Sequence, residues 1–140
     1  MKRFILFVVA VVVAVLADDA TELKRTEEFE NLRENLNTCQ QNLGLLPDYI
    51  ITKGYTHVTE EDKDYIGAIM LCVYTKAGVM SENGDLIEAR VHSLYTNLRG
   101  DSHRTKETIQ KILKECKPNH DDSPKRKAFS YEACLDRLTV

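Results

Sequence analysis

Beyond residue 17, apolar residues recur three or four positions apart along almost the whole chain, and nowhere alternate over a useful strand length. That period points to helices packed by their apolar stripes. From Ala20 to Leu43 the stripe is Phe29, Leu32, Leu36, Cys39 and Leu43, with Gly44 as a natural stop. Leu45-Leu46-Pro47 opens a short element through Ile50-Ile51, closed by Gly54. Thr59 with Asp62 has the form of an N-cap. It predicts a third helix in which Tyr65, Ile69, Cys72, Val73 and Lys76 share a face, flanked by Ile66, Met70 and Ala77. Little charge falls between Ile66 and Tyr74, so this helix is expected to be central, and Gly78 ends it. Asn83-Gly84 predicts a turn, and Asp85 with Glu88 a second capping pair. Ile87, Val91, Leu94, Tyr95 and Leu98 then face inward on a fourth helix. After the break at Gly100-Asp101-Ser102, a fifth carries Ile109, Ile112, Leu113 and Cys116. Pro118 to Asp122 is a polar loop, and Ser123-Pro124 starts a last helix with Ala128, Phe129 or Tyr131, Leu135 and Leu138 inward. The expected fold is all-α, a compact bundle of five to six short helices, with stripes wide enough to leave room for an apolar cavity. The same stripes also describe an ordinary filled core.

The start of the chain is different. Met-Lys-Arg precedes an unbroken apolar run from Phe4 to Ala17, 14 residues long. A bilayer span needs about 20. Two basic residues, a short apolar run, and Val15-Leu16-Ala17 before Asp18 have the form of a secretory signal peptide. The expected division is therefore a signal peptide at 1–17 and one helical domain at 18–140, secreted to the extracellular space. The domain has 123 residues and a formal net charge of −5. An acidic surface disfavours electrostatic binding to nucleic acid or anionic lipid, and a chain of this size can bury a real core.

Cys39, Cys72, Cys116 and Cys134 form an even set in a chain expected to meet an oxidising compartment. Two disulfides are expected, and spacing alone leaves three pairings open. No two lie close enough for a zinc knuckle.

Chemistry leaves few marks. His57, His92, His103 and His120 are never three or four apart, so no helical face offers a two-histidine metal site. There is no glycine-rich phosphate loop, serine-hydrolase elbow, zincin or EF-hand motif, and no N-glycosylation sequon. The acidic clusters Glu60-Glu61-Asp62 and Asp121-Asp122 suit caps and solvated faces. No catalytic residue, metal or cofactor is expected. The inward set does mix Met, Tyr, Ile, Val and Phe, shapes that suit an apolar ligand cavity with a few polar handles.

The stretch Tyr65 to Met80, followed by Asn83-Gly84-Asp85-Leu86, resembles the third helix and following turn of insect odorant-binding proteins, the pheromone-binding and general odorant-binding family. That family carries six cysteines, the second three intervening residues before the third and the fifth eight before the sixth. Taking Cys39, Cys72, Cys116 and Cys134 as first, third, fourth and sixth, the vacant positions fall at Ala68 and Lys125. Pro124 stands where a proline often precedes the fifth cysteine. The second and fifth bond each other in the family, so the chain resembles its four-cysteine, minus-C branch. The similarity spans essentially residues 18–140. Four-cysteine chemosensory proteins, whose cysteines lie in short loops, fit less well.

The resemblance implies Cys39–Cys72 and Cys116–Cys134 bridges, and a cavity softened by loss of the middle one. It implies a carrier that binds small hydrophobic odorants, pheromones or related volatiles and moves them through aqueous lymph to an odorant receptor or membrane. Ile69, Val73, Val91, Tyr95, Ile109, Leu113 and Phe129 are the expected lining, with Tyr95 the candidate hydrogen-bonding handle. The expected assembly is a monomer or weak homodimer. Only Leu135 to Val140 follow Cys134, so no large tail-driven switch is expected. Two other readings are a secreted helical interaction protein, and a gland, venom or reproductive-fluid lipid carrier.

Overall fold

The computed structural model describes the backbone of residues 19–139 and the side chains of residues 22–138. The expected signal peptide, residues 1–17, lies outside the described residues. Among the described residues six helices follow one another: α1 (Asp19–Leu43), α2 (Tyr49–Lys53), α3 (Glu60–Lys76), α4 (Glu88–Arg99), α5 (His103–Glu115) and α6 (Pro124–Thr139). No strand occurs among the described residues beyond an isolated antiparallel bridge between Met80 and Leu86. The all-α expectation holds.

Local chemistry sets three of the helix starts. The Thr59 hydroxyl accepts from the Asp62 amide at 3.2 Å, and Glu60, Glu61 and Asp62 place negative charge at the positive end of α3. Ser102 caps α5 through the Thr105 amide at 3.1 Å, and Ser123 Oγ accepts from the Arg126 amide at 3.3 Å. The start of α4 departs from expectation. Its N-cap is Ile87, which makes no side-chain cap, and Ile87 is exposed rather than inward. Asp85 instead receives Lys127 Nζ of α6 at 2.9 Å, so a tertiary ion pair takes the carboxylate that a local cap would have used.

α3 is the hub: it packs most extensively against α6 and also against α1, while α4 lies on α1 and α5. Its buried positions are Ile66, Gly67, Ile69, Met70, Val73 and Tyr74. The buried face is therefore rotated from the expected one. Ile66 and Met70 move from flank to core, and Tyr65 moves out to 38% exposure, its hydroxyl donating to the Leu45 carbonyl at 2.6 Å. Gly67 supplies the reason. A Cβ built there would stand 2.1 Å from the Lys125 carbonyl oxygen, so only glycine lets the first turn of α6 close on this side of α3. Beside that contact Arg126 grips α3, its Nε on Asp64 at 2.8 Å and its Nη1 on Glu60 at 2.6 Å. Leu43 at the end of α1 is likewise exposed rather than inward.

The disulfides pair as the resemblance implied. Cys39–Cys72 ties α1 to α3, and Cys116–Cys134 ties the end of α5 to α6, with sequence separations of 33 and 18. Closing loops of those lengths contributes roughly 3–4 kcal/mol each in the chain-entropy account.

Candidate functional site

Where the loop after α2, the first turns of α3, the end of α5 and the outer face of α6 meet, they leave a partly open groove of about 450 Å³. That volume suits a small organic molecule. Its floor is aromatic: Tyr55 and Phe129 meet edge to face with centroids 5.9 Å apart, and Lys63 Nζ sits 5.9 Å from the Phe129 ring centre. The Cys116–Cys134 bridge forms part of the wall. Around the rim Lys63, Lys117 and Arg137 face Glu115, Asp122 and Asp136, so the rim favours neither sign of charge.

Behind the floor lies a polar cluster within the core. Glu132 of α6 is only 4% exposed. Its Oε1 accepts from the Tyr55 hydroxyl at 3.3 Å, and its Oε2 from the Tyr74 hydroxyl. Tyr95 and Tyr131 lie alongside, close enough to bear on each other's phenol, and the Tyr74 and Tyr131 rings meet edge to face at 5.1 Å. Burial disfavours the charged carboxylate and pushes Glu132 up to about 7, against the two phenol hydrogen bonds, which pull it down, and with the like charge of Asp136, which adds to the rise. Burial foremost, and then neighbouring groups including Glu132, hold Tyr74 and Tyr131 well above the usual phenol range. Tyr95 is raised too, by burial first and the Glu132 charge second.

The structure gathers the seven expected lining residues around one core. Ile69, Val73, Val91, Tyr95, Ile109 and Phe129 are buried in it, and Leu113 packs against it half-buried. Phe129 is the one of the seven that lines the groove. Tyr95 lies beside Tyr131 in the core. The four histidines are exposed, His103 beside Glu107 and His120 beside Asp121. Among the described residues no three His, Cys, Asp or Glu side chains are grouped to hold a metal ion. The sequence expectations did not single out Glu132, Tyr55 or Tyr74. One signal was available: Glu132 stands on the same α6 stripe as Ala128, Tyr131 and Leu135, where a charged residue must be buried.

No helix among the described residues is long and apolar enough to cross a membrane. A family profile described as the PBP/GOBP family matches residues 21–137. No curated protein and no solved structure gives a significant match. With its helices, its two bridges and this match over most of its length, the chain belongs to the PBP/GOBP family, the insect odorant- and pheromone-binding proteins, a family of small-ligand carriers rather than enzymes.

Proposed function

We propose that this protein is a secreted carrier that takes small hydrophobic molecules, odorants, pheromones or related volatiles, through aqueous lymph and releases them near a receptor or membrane. The observation that carries the reading is the groove of about 450 Å³ whose aromatic floor, Tyr55 and Phe129, is continuous with the apolar core of a PBP/GOBP-family chain. Ile69, Val73, Val91, Tyr95, Ile109, Leu113 and Phe129 are proposed to line the space that a ligand occupies. Binding exchanges the ligand's hydration for apolar contact, worth about 25 cal/mol per Å² buried, with no covalent step. The test uses residues 18–140, refolded with both disulfides, a fluorescent apolar probe and a panel of volatile competitors. Saturable micromolar probe binding with selective displacement is expected. A folded, correctly bridged sample that binds no probe would overturn the carrier reading and leave the family likeness speaking for the fold alone.

A further inference from the structure

A buried carboxyl among phenols is an unusual thing to place behind the aromatic floor of a groove with a charged rim. Isolated carboxylates are costly to bury, and natural ones are paired or neutralised. Among the described residues no lysine, arginine or histidine makes an ion pair with Glu132. Among the described residues, the ionisable groups that bear on it are Tyr55 from the loop after α2, Tyr74 of α3, Tyr95 of α4, and Tyr131 and Asp136 of α6. None of these is a cation. Lys63, the cation over the groove floor, is engaged by Glu60 at 2.9 Å.

Tyr55 is the link between groove and carboxyl. Its ring lines the groove, and its hydroxyl donates to Glu132 Oε1 at 3.3 Å, a long bond compared with an ordinary O–H···O contact. A small rotation of the phenol would open Oε1 to a molecule held on the floor. A carboxylate accepts up to about four hydrogen bonds, and Glu132 receives two from phenols. It can therefore take a donor from a ligand. It gives none when ionised.

We infer that Glu132, reached from the groove past Tyr55, is the polar handle of the ligand site and selects ligands whose polar end donates a hydrogen bond, aliphatic amines and alcohols, over carboxylic acids. This rests on the carrier reading and deepens it. An ammonium supplies a positive charge to a carboxyl that pairs with no cation among the described residues, in a setting where charge-assisted bonds are strong. A hydroxyl supplies a neutral donor. A carboxylate ligand brings a second negative charge to a group already beside Asp136.

The experiment is competition against N-phenyl-1-naphthylamine on the refolded domain, residues 18–140, with decylamine, 1-decanol and decanoate as chains of matched length. At about pH 8, where Glu132 is ionised, decylamine is expected to displace the probe at concentrations at least about tenfold lower than decanoate, with 1-decanol between them. Glu132→Gln, which keeps the size and removes the charge, is expected to collapse that ratio to within about threefold, each displacement being corrected for the probe affinity measured in that protein. Lowering wild-type protein to about pH 5.5 protonates the same group and is expected to shrink the ratio without any mutation, which keeps the test open if the variant does not fold. Tyr55→Phe is expected to retain the preference for amine over acid. Probe binding with equal displacement by all three chains would overturn this inference and leave the carrier reading standing. A preference that survives in folded Glu132→Gln would overturn it too, assigning Glu132 a purely structural role. Absence of probe binding in the folded wild type would instead strike the carrier reading itself.

Discussion

Glu132 loses its proton near pH 4.5 in an unfolded chain and near 7 in the folded one, so its proton couples stability to pH. Between those values the folded state holds a proton that the unfolded state has released. The stabilisation is complete below the unfolded pKa, declines as pH rises, and is lost once pH passes about 7. The separation corresponds to about 3 kcal/mol. Thermal unfolding of the wild type at a series of pH values from weakly acidic to weakly alkaline is expected to show a falling midpoint, and Glu132→Gln to flatten this part of the profile. Equal slopes in the two proteins would contradict the buried setting. Gly67 makes a second prediction at this scale. Gly67→Ala forces a methyl group against the Lys125 carbonyl and is expected to destabilise by about 1–3 kcal/mol, checked by urea unfolding. The burial of Glu132 could be read from its place on the α6 stripe, but its phenol partners and the Gly67 contact could not. Periodicity assigns a residue to a face, but the approach of the Lys125 backbone to Gly67, or of the Tyr55 and Tyr74 hydroxyls to Glu132, depends on segments more than 50 residues away.

Among the elements, the joint between α3 and α6 sets the character of the fold. It is where the family's middle bridge is vacant, at Ala68 and Lys125, and where the Lys125 backbone rests on Gly67. In place of a covalent bond the joint has close packing and the Arg126 grip on Glu60 and Asp64. Replacing Ala68 and Lys125 with cysteine is expected to raise the melting temperature, the entropic term for so long a loop being about 4 kcal/mol. A bond confirmed by mass spectrometry without a rise in melting temperature would count against that geometry. The helices themselves were largely legible, because caps such as Thr59 and stops such as Gly78 act within a few residues. The errors sit where a distant partner overrode a local signal. Lys127 takes Asp85 from its cap, and packing by α6 turns the buried face of α3 away from Tyr65.

For the whole molecule, cysteine spacing was the most informative part of the sequence. Two vacant positions at family spacing, with the stretch from Tyr65 to Met80, carried the family resemblance; the resemblance implied both bridges, and the folded chain has them. The groove was less legible. Its parts come from the loop at Tyr55, the turn around Pro118 and the outer face of α6, and apolar periodicity marks faces without marking the space that loops leave between them. The central claim is that this space and the adjoining core receive one small apolar molecule. Calorimetric titration of 1-decanol into the refolded domain at several temperatures tests it most directly. The account predicts saturable one-to-one binding with a negative heat-capacity change, the mark of apolar surface leaving water. Saturation at many equivalents, or no saturable heat at any temperature from a folded sample with both disulfides formed, would contradict it.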